Sequence, residues 1–139
     1  MKKSIVSLFS LLIISCVSTE AYSITGNGDP LKYISSCELD FNNDNEPDIA
    51  LLVETLIGRQ LIVLMKTTDG YNAFVVTREK PDMHLSCRFG KKIKETVVGR
   101  TKGKVYETPG TYVQLTQPEG SSVAYFWNGK SFKEVWTSD

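Results

Sequence analysis

Histidine is nearly missing from this chain: among its 139 residues His84 is the only one, and cysteine occurs three times. That scarcity removes most of the residue sets on which hydrolytic chemistry and transition-metal binding are built. There is no Gly-x-Ser-x-Gly elbow, no convincing Ser/His/Asp set, no phosphate-cradling glycine loop and no zinc spacing. Beyond the first twenty residues there is also no sustained apolar stripe at helical spacing, which argues against a helical bundle. Long apolar runs are confined to the N-terminus.

That N-terminus reads MKKSIVSLFSLLIISCVSTEAYS. Lys2 and Lys3 precede an apolar stretch from Ile5 to Ile14, and small residues follow. The pattern predicts a secretory signal over residues 1–21, too short to span a bilayer stably as a mature helix. Two processing sites compete. Thr19-Glu20-Ala21 would release a soluble product starting at Tyr22, a single β-rich domain over 22–139. Ile13-Ile14-Ser15-Cys16 resembles a bacterial lipobox, in which Cys16 would carry lipid and give the only membrane attachment. The soluble product is favoured, because this box lacks the leucine and the Ala-Gly pair. Either route leads out of the cytoplasm, to a periplasmic localisation in which nucleic acid is not an expected partner.

Cys37 and Cys87 remain after either cut. An even pair in an oxidising compartment predicts one disulfide. The other reading makes Cys87, three residues after His84, a nucleophile; it needs a free thiolate and a placed base.

The remaining periodicities are those of strands. DIALLVET and RQLIVLMKT are apolar and rich in branched residues, joined by Leu56-Ile57-Gly58-Arg59, so 48–54 and 60–67 read as a hairpin. Asp69-Gly70 marks a turn into a third strand over 72–78. Residues 22–35 read as an irregular lead-in, KPDMHLSCRFG as a connection leading into a short strand, and Pro109-Gly110 as a break between two short runs. Asn128-Gly129 separates VAYFW from SFKEVW, the clearest hairpin, with Phe132, Glu134 and Trp136 alternating against Lys133 and Val135. The expected fold is all-β: a small antiparallel sheet domain of hairpins, propeller-blade-like, tied by one disulfide.

Charge is concentrated despite a formal net charge of zero. Residues 38–54 hold six acids and no base, whereas 88–104 hold Arg88, Lys91, Lys92, Lys94, Arg100, Lys102 and Lys104 against Glu95 alone. Such polarity steers an oppositely charged partner, an acidic protein surface or anionic envelope polymer, or else merely guards an edge strand. In LDFNNDNEPDIALL, Asp40, Asn42, Asp44, Glu46 and Asp48 occupy alternate positions, a spacing of oxygen ligands suited to Ca²⁺. The stretch resembles the calcium loops of FG-GAP and VCBS-type propeller repeats, matching at Asp40, Asn42, Asp44 and Asp48 and departing where Asn45 replaces glycine. The resemblance implies a structural calcium ion; the alternative is the same loop held by Asx-turns with its charge in water.

Two surface candidates complete the reading. The aromatic set around Trp127 forms either core or a binding platform, and Glu119, Ser121 and Ser122 lie on a polar loop suited to enter an enzyme cleft. In length, signal and hairpins the chain is similar to small periplasmic immunity proteins and lysozyme inhibitors that neutralise cell-wall enzymes. That similarity implies a non-enzymatic protein that blocks the cleft of a peptidoglycan-degrading amidase or lysozyme-type enzyme. The alternative is a calcium-stabilised envelope module that binds glycan or protein.

Overall fold

A computed structural model describes residues 31–80, 82–96 and 103–138. The expected signal segment, Cys16 and the start of the expected mature domain lie outside the described residues, as do Arg100 and Lys102. The described chain is all-β. Eight strands run β1 (Lys32–Leu39), β2 (Asp48–Thr55), β3 (Gly58–Thr67), β4 (Gly70–Lys80), β5 (His84–Lys94), β6 (Val105–Thr116), β7 (Ser121–Trp127) and β8 (Phe132–Ser138). They form two four-stranded antiparallel meanders, β1-β2-β3-β4 and β5-β6-β7-β8.

Alternation along the strands decides which residues meet between the sheets. Ala50, Leu52, Leu61, Val63 and Met65 from the first sheet form one buried cluster with Val113, Leu115, Val123 and Tyr125 from the second. Two connections plug its ends: Phe41, 1% exposed, comes from the acidic loop, and Met83 from the link between β4 and β5. Phe74 packs edge-on against Trp127 and Phe132 at centroid distances of 5.3 and 5.9 Å, which sets β4 opposite the β7–β8 hairpin. At the other margin Cys37 on β1 is bonded to Cys87 on β5, with Cα atoms 5.8 Å apart. The disulfide therefore joins the two sheets, and the nucleophilic reading of Cys87 is excluded.

The sequence hairpins appear where the turn chemistry put them, with strands a residue or two longer than their apolar runs. Three segments differ. Residues 32–35 are not irregular: they start β1, paired to β2 across a register shift between Tyr33 and Ser35. The segment from His84 is a strand of 11 residues, earlier in its start and longer than the short strand expected, because its polar residues gain a full partner in β6. Pro109-Gly110 does not break β6. Gly110 lies opposite Gly90, a register shift follows between Gly90 and Lys92, and Gly110 adopts φ 122°. The Thr108 hydroxyl repairs the local ladder, donating to the Gly90 carbonyl and accepting from Gly110 N–H at 3.1 Å. A paired-glycine bend of this kind lets a hairpin fold over its own sheet.

The bend has a consequence for packing. The far end of the β5–β6 hairpin curls across the outer face of the second sheet, and Thr96 N–H donates to the Trp136 carbonyl on β8 at 2.8 Å. A second apolar cluster fills the curl: Ile93, Ala124, Phe126 and Val135, with Tyr106 and Tyr112 against them. Gly103 is required there, since a Cβ would meet the Glu95 carbonyl oxygen at 1.7 Å.

Candidate functional site

The acidic loop is organised around backbone N–H groups. Asp40 accepts from the amides of Asp44 (3.1 Å) and Asn45 (2.7 Å) through its two carboxylate oxygens. Asn42 Oδ1 accepts from the same Asp44 amide at 3.0 Å, and Asn42 Nδ2 donates to Asp44 Oδ2 at 2.7 Å. Asp44 Oδ1 accepts from Glu46 N–H at 2.9 Å. Asn43 and Asn45 take left-handed conformations, φ 62° and 69°, which asparagine tolerates better than most residues. The loop thus gathers the side-chain oxygens of Asp40, Asn42 and Asp44 at one place.

Asp48 points elsewhere. It is fully buried, and its two oxygens accept from Phe41 N–H and Lys66 N–H, each at 2.8 Å. One carboxylate thereby ties the loop's end to β3 and seats Phe41 in the core. Burial pushes the Asp48 carboxyl above the ordinary aspartate value; the two N–H bonds oppose the shift, and Asp44 and Asp40 add to it. Glu46 is exposed at the loop's rim. Of the five sequence-predicted ligands, three converge, Asp48 serves the core and Glu46 faces outward. No group of three or more His, Cys, Asp or Glu side chains positioned for a metal occurs among the described residues. The converging set fits a structural cation only as two carboxylates and one amide.

The partner-binding candidates separate in the same way. Ser122 is fully buried, with its hydroxyl donating to Thr116 Oγ1 at 3.1 Å, so it does not reach the surface. Trp127 is half-buried between Phe74 and Phe132, each at 5.3 Å, and belongs to the core margin. Ser121 is half-buried, its hydroxyl on Gln117 Oε1. Glu119 alone is exposed at the tip of a tight turn, closed by Gln117 N–H to the Ser121 carbonyl at 2.8 Å.

That turn does not stand alone. An open cleft of about 280 Å³ is lined by Asp82, Gln117, Pro118 and Glu119. Asp82 also pairs with Arg59 at 3.0 Å, and Arg59 Nη1 donates to the Met83 carbonyl at 3.2 Å. Arg59 is the second residue of β3, beside the β2–β3 turn, so that turn and the Glu119 turn share one end of the sandwich, away from the acidic loop. The β2–β3 tip is Leu56-Ile57, 76% and 59% exposed. Thr55 Oγ1 pins it by donating to the Gly58 carbonyl at 2.8 Å. In the sequence this pair reads as a link; its signal is two large apolar residues in a turn, where polar residues are the rule.

No protein-family model matches this chain, and comparisons with curated proteins and with solved structures return no match.

Proposed function

We propose that this chain is an exported periplasmic binding protein of the immunity or inhibitor type, which blocks the cleft of a peptidoglycan-degrading effector or lysozyme-type enzyme. The observation that carries the reading is the end of the sandwich bearing Leu56, Ile57 and Glu119. Two short turns project from a disulfide-joined scaffold, one apolar and one acidic. An enzyme cleft that holds a sugar–peptide polymer offers apolar walls and polar groups, and rigid turns lose little freedom on entering it. Large apolar side chains held in water by a pinned turn gain free energy when an apolar wall covers them. The protein acts by occupying space, with no bond made or broken.

The test is titration of peptidoglycan-degrading enzymes of the lysozyme and amidase types. Leu56→Asp with Ile57→Asp raises the concentration needed for half-inhibition by at least about tenfold, the effect of losing a small hot-spot cluster. Unchanged inhibition by that folded double variant removes these turns from the interface.

A second reading rests on the convergence of Asp40, Asn42 and Asp44: a calcium-stabilised envelope module binding glycan or protein. In it Asp40, Asn42 and Asp44 hold Ca²⁺, which fastens the loop to the sheet and takes part in no reaction.

A further inference from the structure

The curl of the second sheet leaves a cavity of about 440 Å³ on its outer face, and this cavity is cationic. Arg88, Lys92 and Lys94 line it together with Tyr112, Gln114 and Thr137, and among the described residues no acidic side chain lines it. The bend at Gly90 and Gly110 creates the arrangement: it swings Lys92 and Lys94 over the face that already carries Arg88, opposite Tyr112 in the ladder. Arg88 is held in place. Its Nε–H donates to Oε1 of Gln114 at 3.1 Å, and Gln114 is 7% exposed, so the anchor itself is fixed by packing. One of the five guanidinium N–H donors is thereby committed, and the two terminal nitrogens carry the other four. A guanidinium oriented from behind, with two ammonium groups beside it, is the arrangement that receives a planar or tetrahedral oxyanion. Glu107 pairs with Lys92 at 3.3 Å, with both side chains about two-thirds or more exposed, and such a pair is weak and screened. Lys104 and Lys133 flank the same side of the molecule, their ammonium groups 5.2 and 4.5 Å from the Tyr106 ring centroid. They extend the positive field beyond the cavity.

We infer that this cavity is a binding site for an oxyanion of the carboxylate or phosphate class, carried on a small ligand that rests against the Tyr112 ring. Arg88 is the principal contact, Gln114 is its positioning residue, and Lys92 and Lys94 supply the remaining charge. The inference needs neither the enzyme partner nor the turns at the far end of the sandwich, so either proposal can fail without the other.

The disulfide-bonded protein, titrated in low salt and followed by backbone amide NMR shifts, tests it. Two probes distinguish the oxyanion: inorganic phosphate and D-glucuronate. Saturable shifts confined to residues around Arg88, Tyr112 and Gln114 are expected for at least one probe, with a dissociation constant in the millimolar range. Arg88→Gln weakens that binding about tenfold, and Arg88→Lys, which keeps the charge and loses the fork, restores only part of it. Gln114→Ala weakens binding with the charge count unchanged, whereas Lys130→Gln on the β7–β8 turn changes nothing. Near-UV circular dichroism of each variant establishes that the fold is retained. Shifts that fail to saturate for both probes, or that are the same in folded Arg88→Gln, overturn the assignment.

Discussion

Asp48→Ala is the most informative single change in this fold. Both oxygens of the buried carboxylate accept backbone N–H groups, from Phe41 and Lys66, at 2.8 Å. Alanine leaves two donors without partners in a region closed to water, at about 1–3 kcal/mol each. Releasing a desolvated charge offsets part of that, so the expected loss is about 2–4 kcal/mol, a large share of the stability of a small domain. Urea unfolding monitored by tryptophan fluorescence should show the midpoint falling by about 1–3 M with little change in slope. Asp48→Asn keeps the shape and one acceptor and costs less. Its comparison with the wild type carries a pH signature. The Asp48 carboxyl titrates above the ordinary aspartate value when folded and at about 3.9 when unfolded, so the folded state takes up this proton first as pH falls. Ionised Asp48 therefore costs stability above its folded pKa, and that cost is gone below about 3.9. The wild type gains on Asp48→Asn between neutral pH and about pH 4. A midpoint for Asp48→Ala within 0.5 M of wild type, roughly 1 kcal/mol, would refute the role given to this carboxylate.

Further outcomes follow from the same geometry. Reducing the disulfide, or replacing Cys37 and Cys87 by alanine, opens a link spanning a sequence separation of 50 residues, worth about 4 kcal/mol on the chain-entropy model; thermal melting with and without reductant checks it, and coincident curves contradict it. Phe41→Ala removes a buried ring that plugs the core and is expected to cost about 3–5 kcal/mol by chemical denaturation, where a loss under about 1 kcal/mol would mean that the end of the core recloses. If Asp40, Asn42 and Asp44 hold Ca²⁺, a hundredfold excess over the dissociation constant stabilises by about 2.7 kcal/mol, or about 10 °C in melting midpoint for a domain of this size. Identical midpoints in calcium and in chelator dismiss the ion.

Much of the fold was legible because local chemistry and final pairing agree. Gly58, Asp69-Gly70 and Asn128-Gly129 sit between runs of branched and aromatic residues, and the turns fall there. Cys37 and Cys87 were readable by parity alone. What escaped depends on partners far along the chain. The polar β5 reads as a connection and a short strand until β6 lies beside its whole length, and Pro109-Gly110 reads as a break until the Thr108 hydroxyl takes over the hydrogen bonding. In the acidic loop, spacing marked five candidate ligands but could not show that Asp48 turns inward behind Phe41. Of the basic run, sequence gave the charge; only the bend gathers Arg88, Lys92 and Lys94 around one cavity. Ser122 reads as exposed beside Gly120, yet β7 is buried on both faces and takes it inside.

The central claim is that this chain works by occupying a partner's cleft, and stoichiometric titration tests it most directly. A lysozyme-type enzyme and a peptidoglycan amidase are each mixed with increasing amounts of the protein, and release of soluble wall fragments is measured. The account predicts a linear fall in activity that reaches its floor at one protein per enzyme; undiminished activity at tenfold excess would contradict it.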